Sequence, residues 1–143
     1  MFNIAHIHPM MVHFPIALLM VGYLADLLFL FIKKEKCLSK LGLYLLVLGT
    51  LAALMAFLSG SVFTNHPTSG SIFPVFENHE LFALLTIISA VVTLTVRLYA
   101  VITKKDETSL KWVVFALYTL TACFISITGF LGGYMVYNFM LGI

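Results

Sequence analysis

Five histidines are the side chains of this sequence best suited to chemistry. A neutral imidazole binds transition metals and haem iron, and it exchanges a proton near neutral pH. Three of the five lie in the N-terminal stretch HIHPMMVHFP, directly before a run of apolar residues. The full set is His6, His8, His13, His66 and His79. Their role depends on the elements that position them.

Composition indicates that those elements are membrane helices. The chain has 143 residues, of which 62% are hydrophobic and only 10% charged. A soluble domain usually has about a quarter of its residues charged. Four apolar segments are each long enough for the roughly 20 residues that cross a bilayer as a helix. We therefore predict one all-α domain over residues 1–143, an integral membrane four-helix bundle of up-down topology, with spans at about 10–32, 41–63, 81–103 and 112–137.

The distribution of cations predicts the orientation of the bundle. Seven lysines lie in the connections after the first and third spans, and Arg97 lies near the same end of its span. The N-terminal tail, the middle connection and the C-terminal tail contain no Lys or Arg. By the positive-inside rule, both termini lie outside. All five histidines are then on or near the outer face.

Two charged residues lie well inside the apolar segments. Asp26 and Arg97 each precede the predicted end of a span by six positions, and their spans run in the same direction. A charge inside a membrane usually has a partner, so we predict a structural ion pair between them. His8 precedes Asp26 by eighteen positions, and His79 precedes Arg97 by eighteen. Counted back from the two charged residues, His8, His13 and His79 are predicted to lie at a similar depth, in one layer near the outer face.

Haem b is the cofactor that we favour for this layer. Two neutral imidazoles from different helices can hold an iron porphyrin inside a bundle. We predict His13 and His79 as the ligand pair; a second haem held by His8 and His66 is a much less favoured extension of the same hypothesis. The protein would then be a small membrane electron carrier with a redox partner or a quinone. The main objection is that no cation on the outer side is available to bind the haem propionates.

A divalent-metal site is the alternative. His8, His13 and His79, with Glu77 or Glu80, offer ligands for zinc, copper or iron, at a catalytic site or at the entrance to a transport path. In a third interpretation the histidines make structural hydrogen bonds, and the protein is a scaffold subunit. No nucleophile motif indicates an enzyme, and a net charge of +2 gives no basis for nucleic-acid binding.

Small residues form one face on each of two spans. Span two carries Gly49, Ala53, Ala56 and Gly60, and span four carries Ala122, Ser126, Gly129 and Gly133. Such faces let helix backbones approach closely in lipid. We expect them to serve helix packing. A face of this kind also leaves room for a flat cofactor, and one left unpaired allows a homodimer.

Three motifs carry a family resemblance. They are His8-Pro9 with Val12-His13-Phe14-Pro15-Ile16, then His79, then Gly132-Gly133-Tyr134-Met135-Val136-Tyr137. Together they resemble the signature of a bacterial family of small four-span membrane proteins catalogued as domain of unknown function 2231, over nearly the whole chain. The resemblance implies the bacterial inner membrane and, because related domains are joined to cytochrome-like modules, a link to electron transfer. Members often carry an acidic residue after span two and a His-Gly-Val-Gly-like tail. This chain has Ser59-Gly60-Ser61-Val62-Phe63 and Phe139-Met140-Leu141-Gly142-Ile143 there, so roles resting on those groups do not transfer.

Overall fold

The computed structural model describes residues 7–32, 36–63 and 67–139, and nearly all of them are helical. The helices are α1 (Ile7–Met11), α2 (His13–Phe31), α3 (Lys36–Phe63), α4 (Phe73–Ile102) and α5 (Leu110–Phe139). Four stretches are long and apolar enough to span a membrane: His8–Phe31, Lys36–Val62, Phe73–Ile102 and Leu110–Phe139. The predicted all-α bundle of four membrane spans is therefore confirmed, and the protein lies in a lipid bilayer.

A turn at Val12 separates α1 from α2, and Pro15 explains it. Proline has no N–H to donate to the carbonyl four residues earlier, here that of Met11, and its ring crowds the same turn. The Val12 amide still donates to the His8 carbonyl at 3.1 Å. The chain therefore keeps its direction through the turn, and α1 and α2 together form the first span.

Helix α4 begins eight residues before the predicted span. Its first residue is Phe73, and Pro74 follows at the first turn, where a fixed φ and a missing N–H suit a helix start. His79 therefore lies inside the helix, not at its opening. Gly70, with φ of +96°, reverses the chain just before α4 in a conformation that favours glycine.

The bundle consists of two helical hairpins. The first hairpin contains α1, α2 and α3, and the second contains α4 and α5. Helices pack far more densely within each hairpin than between the two. Between the two hairpins, α2 packs on α5 and α3 packs on α4 to a similar extent. The four long helices therefore form a ring in which α2 and α4 lie diagonally opposite each other.

The two hairpins bury equivalent positions. Residues of α2 correspond to residues of α4 that come 71 positions later, and residues of α3 correspond to residues of α5 that come 72 positions later. The buried positions that match are Pro15 and Thr86, Leu19 and Ala90, Gly22 and Thr93, Asp26 and Arg97, Gly42 and Val114, Leu46 and Tyr118, Gly49 and Thr121, Thr50 and Ala122, and Ala53 and Ile125. This pattern indicates an internal repeat with an approximate two-fold axis along the bundle, as in parallel membrane repeats.

The two ends of the bundle differ in chemistry. One end, which we call the histidine end, carries His8 and His79. The other, which we call the lysine end, carries Lys36 at the start of α3 and Lys111 at the start of α5. Between them, a core of Leu19, Leu46, Tyr118 and Ile125 is almost completely buried. Most other large apolar side chains are exposed around the bundle, as expected for helices that face lipid.

Candidate binding site at the histidine end

His8 lies in α1 and points toward α3. Its Nδ1 is 3.0 Å from the Ala56 carbonyl oxygen and 3.0 Å from Ser59 Oγ. Because a carbonyl only accepts hydrogen bonds, Nδ1 carries the proton. The Ser59 hydroxyl donates to the same Ala56 carbonyl at 2.7 Å, so its oxygen can share the imidazole proton. The ring is half-buried in the first hairpin.

His79 is held in the same way in the second hairpin. Its Nδ1 lies 3.1 Å from the Thr128 carbonyl oxygen on α5 and donates to it. Ala56 and Thr128 occupy equivalent positions of the two hairpins, as do His8 and His79. The ring is half-buried. Each imidazole is therefore held at an equivalent position of its own hairpin by the other helix of that hairpin.

Each imidazole also rests on a glycine. A Cβ built on Gly60 would lie 2.9 Å from His8 Cε1, and one built on Gly132 would lie 3.2 Å from His79 Cε1. These glycines are again equivalent in the two hairpins. Any side chain there would push the ring away from its carbonyl. The repeat thus preserves a complete unit of imidazole, carbonyl and glycine.

These contacts determine what the rings offer to a ligand. With the proton fixed on Nδ1, the lone pair of each ring lies on Nε2. A backbone carbonyl on Nδ1–H is the usual partner of a histidine that binds metal through Nε2, because it sets the tautomer and the ring orientation. Each hairpin therefore carries one imidazole whose Nε2 is the available donor.

The predicted layer of three histidines is not formed. His13 is exposed on the bundle surface, whereas His8 faces inward. At 100° per residue, five positions along a helix separate two side chains by about 140°, so the two cannot share one face. His66 lies outside the described residues. Glu77 and Glu80 are exposed.

The predicted metal cluster is also not assembled. Within residues 7–32, 36–63 and 67–139, no three His, Cys, Asp or Glu side chains are grouped so that they could hold an ion. The predicted ligand set of His8, His13, His79 and Glu80 therefore requires a correction, because His13 and Glu80 are exposed whereas His8 and His79 are half-buried.

The small residues serve packing in most places. Gly49, Ala53 and Ala56 are buried, and Gly49 packs on Leu19 so closely that a Cβ would lie 2.8 Å from that side chain. On α5, Gly129 approaches Ile16, but nothing lies within 4 Å of a Cβ at Gly133. Gly132, which the small-residue pattern does not include, is the glycine in contact with His79.

At the lysine end, the structure brings Asp26 and Arg97 together. Arg97 Nη1 donates to Asp26 Oδ2, and Nη2 donates to Oδ1 at 2.8 Å and to the Ser39 carbonyl at 2.7 Å. Both charged side chains are more than nine-tenths buried. A Cβ on Gly42 would overlap the Asp26 carboxylate. The pair joins the two hairpins at equivalent positions, as His8 and His79 do at the other end.

Tyr118 is not among the residues that the sequence predicts to be important. Its side chain is fully buried, and its hydroxyl has no hydrogen-bond partner among the described residues. The oxygen lies against Gly22, where a Cβ would overlap it. Tyr118 follows Leu46 by 72 positions, which is the offset of the repeat between α3 and α5. This spacing is the sequence signal that could have placed Tyr118 near the axis.

Comparison with known proteins gives a family and no activity. No curated protein and no solved structure matches the chain. A family model described as "Predicted membrane protein (DUF2231)" matches residues 5–143. Since the match spans both hairpins, including every residue of the His8–His79 site, the chain belongs to the DUF2231 family of predicted membrane proteins.

Proposed function

We propose that this protein binds haem b between its two hairpins, with His8 and His79 as axial ligands, and transfers electrons in the membrane. The observation that carries the proposal is the matched pair of Nδ1–carbonyl hydrogen bonds, to Ala56 at 3.0 Å and to Thr128 at 3.1 Å. They leave Nε2 of each ring as the atom that can bind a ligand. His13, which the sequence predicts as a ligand, is replaced by His8 because only His8 faces inward.

The number of protein donors favours haem over a bare metal ion. A porphyrin supplies four nitrogen ligands itself, so two imidazoles complete a six-coordinate iron. Zinc usually needs three or four protein ligands, and the described residues provide no such cluster. Haem held in this way supplies one-electron chemistry.

The protein side of the proposed site is symmetric. Gly60 and Gly132 each make room for the imidazole that packs against them, so each ring keeps its position beside its carbonyl. Packing between the hairpins is thin compared with packing inside them, so their separation at the histidine end costs few contacts. The Asp26–Arg97 pair holds the hairpins together at the lysine end during this separation.

The lysines suggest which surface the site serves. By the positive-inside rule the lysine end faces the cytoplasm, which places the His8–His79 site near the outer face of a bacterial inner membrane. Electron exchange then takes place with a partner at that surface or with a quinone in the bilayer.

Absorption spectroscopy of the purified protein tests the proposal. The full chain is produced with haem supplied, purified in detergent and measured oxidised and reduced. We expect a Soret band that shifts on reduction and the low-spin signature of two imidazole ligands. His8→Ala and His79→Ala each lose that signature. His13→Ala, which removes an exposed imidazole five positions from His8, retains it.

Three outcomes would overturn the proposal. One is a colourless wild-type protein despite haem supply. Another is a low-spin spectrum that survives both His8→Ala and His79→Ala. The third is loss of the band in His13→Ala with retention in His8→Ala. A colourless protein that retains stoichiometric zinc or copper would favour the divalent-metal alternative.

A further inference from the structure

A groove opens at the lysine end, between the two hairpins. It has a volume of about 200 Å³, far more than the roughly 10 to 15 Å³ that one water molecule needs. The groove therefore has room for several water molecules, or for one phosphate-sized group in their place. We call it the lysine groove; its lining residues are Phe29, Leu30, Lys36, Glu107, Lys111 and Trp112.

The lysine groove combines two cations with apolar side chains. Lys36 comes from the start of α3 and Lys111 from the start of α5, so each hairpin supplies one ammonium group. Phe29 and Leu30 are half-buried on α2 and supply apolar surface. Trp112 is 57% exposed, so its ring also faces the surroundings of the bundle. Such a lining suits a ligand in which an anionic group is joined to apolar chains.

Lys111 is less exposed than the other lysines that the structure describes. It is half-buried, and its ammonium lies 5.9 Å from the centre of the Trp112 ring. Within the described part of the chain, no carboxylate lies within ion-pair distance of this ammonium. A hydrogen bond between two charged groups is stronger than one between neutral groups, so an external anion would gain a favourable partner here. The exposed lysines are Lys36, Lys40, Lys104 and Lys105.

Glu107 is the acidic group among the described lining residues. It pairs with Lys36 at 3.3 Å, and both side chains are well exposed. Exposed ion pairs contribute little to stability, so an anion can take the place of Glu107 beside Lys36 at low cost. The two lysines and the glutamate together leave one net positive charge in the groove.

The repeat gives the opposite side of the axis a different lining. There Ser39 stands at the position equivalent to Lys111, and Lys40 stands at the position equivalent to Trp112. The Ser39 carbonyl already accepts a hydrogen bond from Arg97. The groove is therefore a feature of one side of the bundle, and we expect it to hold one ligand per chain.

We propose that the lysine groove binds the headgroup of one anionic phospholipid, with the phosphate between Lys36 and Lys111. Basic pockets between membrane helices are suited to such headgroups. Tryptophan favours the level at which headgroups meet acyl chains, and Trp112 lies at that boundary of the groove. The acyl chains then follow the lipid-facing sides of α2 and α5.

A lipid bound in this way would join the two hairpins at the lysine end. Packing between α2 and α5 is thin compared with packing inside each hairpin, and the groove contains residues of both helices. The inference requires only that the lysine end lies at a bilayer surface. It depends neither on haem binding nor on which side of the membrane that surface faces.

The charges of the groove give the size of the expected preference. One lysine near a membrane surface contributes a factor of about five to the affinity for anionic lipid. Two lysines and one glutamate therefore favour phosphatidylglycerol over zwitterionic phosphatidylcholine by about fivefold. Lys36→Gln and Lys111→Gln should each remove this preference, whereas Glu107→Gln should raise it by about a further fivefold.

Fluorescence quenching by brominated lipid tests the inference. Trp112 is the single tryptophan of the chain and lines the groove, so bromine on a bound lipid quenches its emission. The full chain is reconstituted into phosphatidylcholine vesicles with a minor fraction of phosphatidylglycerol. Either one lipid or the other carries bromine in the upper part of its acyl chains. The two quenching levels, each relative to vesicles without bromine, give the relative affinity of the two lipids.

Lys40 provides a matched control. It is exposed on the same helix as Lys36, one turn further along, and it is not among the lining residues. Lys40→Gln removes the same charge and should retain the preference. Circular dichroism of each variant reports on its helices. The gain expected for Glu107→Gln tests the groove independently of any loss of structure in the lysine variants.

Three results would overturn the inference. One is equal quenching of the wild-type protein by both brominated lipids. Another is a Lys40→Gln protein that loses as much preference as Lys36→Gln and Lys111→Gln, since that would indicate general attraction to a charged surface. The third is recovery of fluorescence when soluble glycerol phosphate is added at constant ionic strength, which would assign the groove to a water-soluble phosphate and not to a lipid.

Discussion

The buried ion pair predicts a large and pH-dependent loss of stability on Arg97→Leu. The substitution removes two hydrogen bonds to the Asp26 carboxylate and one to the Ser39 carbonyl. Breaking a buried pair by removing one partner costs roughly 3 to 5 kcal/mol. The carboxylate can instead take up a proton, which at pH 7 costs about 4 kcal/mol. We therefore expect the free energy of unfolding to fall by about 3 to 4 kcal/mol.

The sign of the pH dependence follows from the same reasoning. In the Arg97→Leu protein near neutral pH, the folded state holds a proton on Asp26, whereas the same carboxyl is ionised in the unfolded state. Stability then falls as pH rises, by up to about 1.4 kcal/mol per unit. Between pH 7 and pH 5 the variant should regain most of its loss, whereas the wild-type protein should change little.

Unfolding in mixed detergent micelles measures this effect. The chain has a single tryptophan, Trp112 at the lysine end, so its fluorescence reports on the same region and circular dichroism reports on the helices. Glu107→Gln is the control, because Glu107 forms an exposed ion pair with Lys36 at 3.3 Å, and exposed pairs contribute little. A loss below about 1 kcal/mol for Arg97→Leu, or one that does not shrink at pH 5, would refute the reasoning and indicate charges that reach the interface separately.

Three further predictions concern packing around the axis. Gly60→Ala and Gly132→Ala place a methyl group 2.9 Å and 3.2 Å, respectively, from the imidazole that each glycine contacts. Both variants should lower the free energy of unfolding by about 1 to 3 kcal/mol and perturb any haem spectrum. Gly133→Ala, whose methyl group meets open space, should do neither. Gly22→Ala forces a methyl group onto the Tyr118 hydroxyl and to 2.9 Å from Leu45 Cβ, and it should cost about 1 to 3 kcal/mol. Tyr118→Phe should recover part of that loss in a double-variant cycle, because the contact with Leu45 remains, and should not destabilise on its own. Two separately expressed hairpins should co-purify as one complex, since they meet across a shared axis; failure to assemble at any ratio would contradict the repeat.

The spans and the ion pair are the parts of this structure that the sequence predicts well. Hydropathy and length are sufficient for the spans, because a helix in lipid must be apolar over a fixed distance. Asp26 and Arg97 are predictable because a buried charge restricts its partner severely, and only one opposite charge lies at the same depth. Helix starts are less predictable, since α4 begins at Phe73, with Pro74 in its first turn, well before its apolar run.

The choice of histidine could not be predicted in the same way. In a soluble helix, alternation of polar and apolar residues reveals the face that points inward. Apart from Asp26, the first span is apolar on all sides, so hydropathy alone does not distinguish the face of His8 from that of His13. Two spacings do distinguish them. His8 precedes Asp26 by eighteen residues, which is five helical turns, and the internal repeat selects the same histidine. Lys33-Lys34-Glu35 recurs 71 positions later as Lys104-Lys105-Asp106, and the same offset pairs His8, not His13, with His79.

The repeat also explains why its two ends differ. Equivalent residues beside a two-fold axis meet each other, so identical residues there face identical partners. Two imidazoles suit a ligand that needs two equal donors, but two equal charges in a membrane would repel. Asp26 and Arg97 must therefore differ, whereas His8 and His79 remain alike. Exchanging the charges in D26R/R97D should consequently be better tolerated than D26R or R97D alone, each of which brings like charges together. Recovery should be incomplete, because Gly42 makes room for Asp26 and the Ser39 carbonyl accepts from Arg97 on one side only. If D26R/R97D were no more stable than the less stable of the two single variants, the two positions would not be equivalent and the axis would not pass between them.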